Sequence, residues 1–316
     1  MREERKELAL VIPAIDLSKL SFKSSVRYGW TVGTYSPSKD GSLYNMLVSS
    51  IGAKECCQLY LGGHASFVWN TITPEDRKAC KEYCEKHNKT FYIHAPVNAN
   101  LSKGEGAKIT TCSRRLITHE LKQSYGIPCS YVLHIGKEGK DLAVKGTLEK
   151  AAEEINSLIT TGVLTHSTSE KIPYRLVLEN AAGQAGELGK SWDEIRKLYE
   201  ALDKTRVGMC IDTQHAFAAG LSSFETHESV VRVFQECSDA TGRQISLIHL
   251  NDSLKQYGSR VDRHAPLGKG YIWGLRAEGL SSLVKMCSEL RVDMITETSD
   301  PVGDDRVIEG IRKTIA

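Results

Sequence analysis

Eight short apolar runs, rich in β-branched and aromatic residues, punctuate this 316-residue chain. They are 27–35 (RYGWTVGTY), 56–62 (CCQLYLG), 90–96 (TFYIHAP), 131–136 (YVLHIG), 174–180 (YRLVLEN), 207–215 (VGMCIDTQH), 244–252 (QISLIHLND) and 292–298 (VDMITET). Most read as nearly continuous apolar stretches, with little alternation of apolar and polar residues, the signature of parallel strands covered on both faces. Between them lie stretches with apolar residues at helical spacing, among them LYNMLVSSIGAK, TPEDRKACKEYCEKHN, GTLEKAAEEINSLITTG, SWDEIRKLYEALDK and EGLSSLVKMCSEL. Ser191, with Glu194 three residues later, has the pattern of a helix capping box. Strand starts recur at roughly 30 to 50 residues, the span of one βα unit. Eight such units imply an α/β chain closed into a (β/α)8 TIM barrel, a fold that holds roughly 250 residues in one domain. The sequence therefore divides into an N-terminal extension, residues 1–26, and a barrel domain, residues 27–316.

Titratable residues are concentrated at the ends of these runs or just beyond them. His94, His134, Glu179, Asp212, His215, His249, Asp262, His264 and Glu297 all close or follow a strand-like segment. Polar groups at such positions are costly to bury unless paired or coordinated. The other five histidines, His64, His87, His119, His166 and His227, fall in polar loop-like or helical surroundings and read as solvated. In barrels of this kind chemistry is done at the C-terminal face, where all nine residues fall. Imidazoles and carboxylates without thiolates suit zinc, with manganese or iron tolerated. Nine ligands exceed the needs of one ion, whereas two or three ions sharing a carboxylate would use them and offset the mutual repulsion of four carboxylates. Such a cluster lowers the pKa of bound water and grips phosphate oxygens, which is the chemistry of phosphate ester hydrolysis.

The remaining features narrow the setting. Nine cysteines without knuckle-like grouping read as free thiols of a reducing intracellular compartment, cytoplasm or nucleus. No run of about 18 apolar residues is present, so no transmembrane helix and no membrane partner are expected. The charged N-terminus with its short apolar patch lacks a convincing cleavage pattern and reads as an extension, not a signal peptide. A net charge of +2 does not by itself point to nucleic acid. Basic residues nonetheless gather after strand three (Lys103, Lys108, Arg114, Arg115), strand four (Lys137, Lys140) and strand seven (Arg260, Arg263, Lys269), on the same face as the candidate ligands. Phosphate contacts there would make affinity salt-dependent.

The segments LENAAGQAG, CIDTQHAFAAG, LIHLNDS, SRVDRHAPLGKG and ITET, in this order, resemble the signature motifs of the endonuclease IV family of apurinic/apyrimidinic endonucleases. The resemblance runs from about Tyr28 to the C-terminus. It implies a monomeric (β/α)8 barrel with three zinc ions that cleaves double-stranded DNA on the 5′ side of an abasic site. The products would be a 3′-hydroxyl and a 5′-deoxyribose phosphate, with trimming of blocked 3′ ends as a second activity. By motif, His94, His134 and Glu179 would hold one zinc. Glu179, Asp212, His249 and Glu297 would hold the second, and His215, Asp262 and His264 the third. Glu179 and Glu297 are the carboxylates to which this assigns a direct part in catalysis. Asn180 and Gln184 would support the ligands through hydrogen bonds.

The chain departs from the family in its DNA-facing loops. GTYSPS with Tyr35 replaces a GAHVS-like turn, GGHASFVW replaces a basic KNPRQW-like loop, and HAPVNANL puts Val97 and Asn98 where an aromatic and a leucine are common. Phe67 and Trp69 are the apolar candidates for a wedge between bases. Two other readings stay open on the residues alone: a divalent-metal sugar isomerase or epimerase, and a non-catalytic DNA-lesion binder.

Overall fold

Strands that are apolar on both faces need cover on both, and in the computed structural model the eight runs obtain it by closing on themselves. The structure describes residues 27–52, 54–139, 145–160, 176–202, 207–242, 245–274 and 277–315. The extension at residues 1–26, Lys140 and His166 lie outside them.

The chain begins with β1 (Tyr28–Thr34), α1 (Pro37–Asp40), α2 (Leu43–Ile51), β2 (Cys56–Tyr60), α3 (Pro74–His87), β3 (Thr90–His94) and α4 (Lys108–Gln123). It continues through β4 (Cys129–His134), α5 (Leu148–Thr160), β5 (Leu176–Glu179), α6 (Trp192–Ala201), β6 (Val207–Asp212), α7 (Thr213–Ala219) and α8 (His227–Thr241). The last elements are β7 (Ile245–His249), β8 (Asp252–Ser253), β9 (His264–Ala265), α9 (Ala277–Leu290), β10 (Asp293–Thr296) and α10 (Pro301–Ile315). Seven strands in sequence order, with β10 between β7 and β1, form a closed parallel barrel, while β8 and β9 make a small antiparallel hairpin outside it. This is the expected (β/α)8 fold.

Two apolar layers hold it. Cys56, Tyr92, Val132, Val177, Cys210, Leu247 and Ile295 form one buried cluster, contributed by seven of the eight barrel strands. A far larger cluster joins the strands to the helices, and α5 illustrates how, burying Ala151, Ala152, Ile155, Leu158 and Ile159 at helical spacing. At the strand starts Asp293 accepts hydrogen bonds from Arg27 (2.8 Å) and from the Tyr92 hydroxyl (2.7 Å). That leaves the strand ends for the titratable residues, and the register aligns them: His134 pairs with Glu179 across β4 and β5, and Asp212 with His249 across β6 and β7.

The structure corrects several boundaries. The expected strand 207–215 stops at Asp212, because the Asp212 side chain accepts the His215 backbone N–H (2.8 Å) and starts α7. The expected strand 244–252 stops at His249, and Asp252 belongs to the outer hairpin. Lys108, Arg114 and Arg115 lie on α4, not in a loop. Three of the inward positions of α4 are the polar Thr110, Ser113 and Glu120, which blurred its apolar stripe. At α6 Ser191 caps as expected, but Glu194 accepts from Gly189 and Lys190, so the reciprocal half of the box is missing. All nine cysteines are free thiols and eight of them are buried.

Glu120 generates a prediction. It is 1% exposed and accepts a hydrogen bond from the Tyr131 hydroxyl. Burial pushes its carboxyl up to about 7, and the Tyr131 bond offsets only part of this. The folded chain thus keeps a proton that the unfolded chain releases near pH 4.5, so stability falls as pH rises through that window and levels off above 7. Between pH 5 and 8 the Glu120→Gln variant should gain about 2 to 3 kcal/mol relative to the parent in urea unfolding. Parallel pH profiles for the two proteins would refute this.

Candidate metal centre

Five ligand candidates end barrel strands: His94 on β3, His134 on β4, Glu179 on β5, Asp212 on β6 and His249 on β7, with Glu297 one residue past β10. His215 comes from the first turn of α7, and Asp262 and His264 from the outer hairpin. All nine converge at one mouth of the barrel. There a cavity of about 470 Å³ is lined by His94, His134, Glu179, His215, Asp262, His264 and Glu297, together with Thr31, Gly33, Thr34, Tyr60, His64, Val97 and Thr298.

Glu179 is the centre of the arrangement. Its Oε2 lies 3.1 Å from His94 Nε2 and 3.2 Å from His134 Nε2. Its Oε1 lies 3.1 Å from His249 Nδ1 and 3.2 Å from His215 Nδ1. Burial opposes ionisation of this carboxyl, but His249 and His134 outweigh it and hold Glu179 well below the usual carboxylate range. Burial likewise opposes charging of the His215 and His249 imidazoles, yet both are raised well above the ordinary histidine value, His215 by Asp212 and Asp262, His249 by Cys210, Glu297 and Glu179. The carboxylates thus demand positive charge, which imidazolium protons or cations can supply.

The hydrogen bonds around the imidazoles favour cations. His94 Nδ1 faces the Ala95 carbonyl (2.6 Å), His215 Nδ1 the Asn180 carbonyl (3.0 Å) and His264 Nδ1 the Glu297 carbonyl (3.3 Å). A carbonyl only accepts, so each Nδ1 carries a hydrogen and Nε2 is the nitrogen turned to the carboxylates. His249 is reversed, its Nε2 lying 2.9 Å from Gln58 Oε1 while Nδ1 faces inward. A backbone or amide acceptor behind an inward-facing lone pair is how metal-ligating histidines are oriented. Glu179 Oε1, His249 Nδ1 and His264 Nε2 are buried with no hydrogen-bond partner among the described residues. Orphaned atoms of this kind are rare, and cations bound in the groups these residues form would satisfy them.

Four groups have ligand atoms within 4.8 Å of one another: His94, His134 and Glu179; His94, His249 and Glu297; Asp212, His215 and His264; and Glu179, Asp212, His249 and Glu297. The first and last coincide with two expected sets. The third differs, since Asp212 stands with His215 and His264 in place of Asp262. Asp262, one-third exposed, lies 3.4 Å from both of those imidazoles but belongs to none of the four groups.

Two supporting residues carried no visible signal in the sequence. Gln58, an amide in the middle of β2, donates to Glu297 Oε1 (2.6 Å) besides accepting from His249. Asn251 donates to Asp212 (2.7 Å) and to Glu297 (3.3 Å) and accepts the Glu297 backbone N–H (2.9 Å). Asn180 and Gln184 do reach the site: Asn180 brackets the Asp212 backbone, and Gln184 accepts the Asp262 N–H (3.3 Å). His64, set aside from sequence as a solvated loop histidine, is in the cavity wall.

The residues proposed for DNA contact lie around the mouth. Trp69 is half exposed, one side of its ring on His119 (centroids 5.0 Å apart), and Phe67 is half-buried. Val97 lines the cavity, and Asn98 donates to the Ala65 carbonyl (2.9 Å). Arg260 and Arg263 are exposed on the hairpin loop, with Arg260 at positive φ, while Lys269 pairs with Asp300 (2.9 Å). Some of the other basic residues are compensated within the protein: Lys103 donates to the Glu138 carbonyl, Lys137 pairs with Glu187 (3.0 Å) and Arg114 with Glu154 (3.1 Å). Among the described residues no helix is long and apolar enough to cross a membrane.

Comparison with known proteins gives concordant results. Residues 47–312 match the family model described as xylose isomerase-like TIM barrel. A protein of Phocaeicola vulgatus described as probable endonuclease 4 is 34% identical over 261 residues, 79% of this chain and 86% of that protein. The apurinic-apyrimidinic endonuclease 1 of Plasmodium falciparum is 27% identical over 85% of this chain, which spans 44% of that longer protein. In fold, the chain is similar to the crystal structure of endonuclease IV from Thermus thermophilus, with a TM-score of 0.70 and 24% identity, covering 92% of this chain and 98% of the other.

Gln58→Leu should weaken binding of a divalent cation by roughly 10- to 100-fold, because His249 then loses the partner that orients it. Competition against a chromophoric zinc chelator would measure this, and an unchanged dissociation constant would remove Gln58 from the site.

Proposed function

The chain belongs to the endonuclease IV family of xylose isomerase-like TIM barrels, and we propose that it is a metal-dependent endonuclease that hydrolyses the phosphodiester 5′ to an abasic site in double-stranded DNA. It leaves a 3′-hydroxyl and a 5′-deoxyribose phosphate and also trims blocked 3′ ends. The observation that carries this reading is the sharing of ligands: Glu179 serves two of the four candidate groups, and Asp212 connects one of them to His215 and His264. A sugar isomerase on the same barrel needs one or two ions and would leave the Asp212, His215 and His264 group without a task.

The donor set of five imidazoles and four carboxylates fits three zinc ions, with manganese tolerated. His94, His134 and Glu179 would hold the first, Glu179, Asp212, His249 and Glu297 the second, and His215, Asp262 and His264 the third, with Asp212 close enough to join them. When bound, such ions activate water at neutral pH and offset the charge of the reacting phosphate. The rest falls to the protein. Glu179 offers one oxygen to the His94 and His134 side and the other to the His249 side, which is what a bridging carboxylate requires. Asn251 holds Asp212 and Glu297 in fixed orientation, and Gln58 holds Glu297 and His249. Thr31, Thr34 and Thr298 line the cavity as uncharged residues, the Thr298 hydroxyl donating to Asp304.

Recognition of DNA is assigned to the rim: Arg260, Arg263 and Lys269 for phosphates, and Phe67 and Trp69, with Val97 and Asn98 beside them, for the lesion. The barrel domain, residues 27–316, would work as a monomer in a reducing intracellular compartment, with residues 1–26 as an accessory extension.

A labelled duplex with one stable abasic analogue tests the activity. Protein of assayed metal content should make a single cut 5′ to the lesion, and chelation should abolish it. No cut despite about three bound zinc ions would move the reading to another phosphoester, and no cut with one or two ions would favour a sugar isomerase. The Phe67→Ala, Trp69→Ala double variant should bind the abasic duplex about tenfold more weakly with unchanged metal content. Equal affinity by fluorescence anisotropy would end the wedge assignment.

A further inference from the structure

Seven residues line the cavity besides the candidate ligands: Thr31, Gly33, Thr34, Tyr60, His64, Val97 and Thr298. Among them His64 alone carries an imidazole, whose ring N–H can donate a hydrogen bond. Its ring stands edge-on to Tyr60, centroids 4.8 Å apart, and Tyr60 in turn packs on His94 at 5.2 Å. One aromatic ring therefore separates His64 from the ligand cluster. Neither ring nitrogen of His64 has a hydrogen-bond partner among the described residues, and the side chain is exposed to whatever enters.

The backbone is built to keep it there. The turn at Gly62 and Gly63 folds so tightly that a Cβ on Gly62 would meet the Val68 carbonyl oxygen at 2.2 Å and one on Gly63 the Ser66 Oγ at 1.7 Å. The turn is then stapled to the loop after β3, where the Val97 N–H donates to the His64 carbonyl (2.9 Å) and Asn98 donates to that of Ala65 (2.9 Å). At its base Asn70 donates to the carbonyls of Leu61 (2.7 Å) and Tyr35 (2.9 Å). A loop held by these bonds presents its side chain with little ordering left to do on binding.

We propose that His64 is a phosphate-binding residue: its imidazole N–H donates to a non-reacting phosphate oxygen of the DNA strand that enters the cavity. This rests on the nuclease reading of the same site. A strand whose scissile phosphate lies over the ligand cluster must lay a neighbouring phosphate against the cavity wall. Four carboxylates make that cavity unfavourable for any phosphate beyond reach of bound cations, and a donor on the wall meets the need. Because the contact is made alike before and during reaction, it acts on KM and not on turnover.

The test compares metal-loaded parent, His64→Ala and His64→Asn, the last of which keeps an N–H donor. Steady-state incision of the abasic duplex is measured together with anisotropy binding of the already nicked product duplex, and metal content and thermal midpoint are checked for all three. His64→Ala should raise KM and the product dissociation constant about tenfold with kcat within about threefold, and His64→Asn should recover most of the loss. Incision by the parent with unchanged KM and affinity in His64→Ala would overturn the assignment and leave the nuclease reading intact. So would a fall in kcat at constant KM, or an asparagine variant as weak as alanine. A metal-loaded parent that does not incise would overturn both.

Discussion

One carboxylate organises the mouth of this barrel. Glu179 is 1% exposed, and four imidazole nitrogens lie within 3.1 to 3.2 Å of its two oxygens. A buried carboxylate that stays charged must be met by positive charge or hydrogen-bond donors. That requirement draws His94, His134, His215 and His249 together from three strands and a helix. Each histidine then needs an acceptor behind it, which is why backbone carbonyls at the strand ends and Gln58 take the positions they do. Electrostatics at one atom pair thus propagates outward into the geometry of the surrounding βα units.

A second buried carboxylate organises the hairpin side. Asp252 accepts backbone N–H groups from Ser253, Gly268, Gly270, Ile272 and Trp273 at 2.7 to 3.4 Å. Burial raises its carboxyl, and the backbone donors counter that. The segment it gathers carries Lys269 and the exposed Tyr271, and the hairpin it begins carries Asp262 and His264 to the cavity. Ligand placement and rim presentation are therefore one structural problem here, solved by a single side chain bonded to backbone.

The opposite rim is solved differently. There the chain has a glycine turn, a histidine and an apolar stretch from Phe67 to Trp69. The loop leans on α4, with Trp69 on His119 and the His119 ring bonded to the Asn70 carbonyl (2.8 Å). Its rigidity comes from bonds to neighbouring loops, so its apolar residues can stay partly exposed without collapsing onto the barrel. Aromatic surface is exposed on this side, and Arg260 and Arg263 are exposed on the hairpin loop.

The eight strands, the barrel and all nine ligand candidates were legible in the sequence, because continuous apolar runs report two-sided burial and a histidine or acid at the end of such a run has few other reasons to be there. The motifs added the family and proposed three ligand groupings, two of which the structure brings within one short distance. Gln58 and Asn251 were not legible: an amide inside a strand and an asparagine after one look the same whether they face solvent, backbone or ligand. His64 was legible as an exposed loop histidine but not as part of a cavity wall, since polar neighbours in sequence describe a loop and not the cavity that the loop borders. The proximity of Asp212 to His215 and His264 likewise depends on where α7 begins and how the hairpin folds back. Local pattern determines which residues are placed at strand ends, because burial periodicity is a property of the segment itself. Which nitrogen faces which oxygen is decided only when eight strands close and loops distant in sequence meet, because hydrogen-bond direction and charge pairing are properties of the assembled mouth.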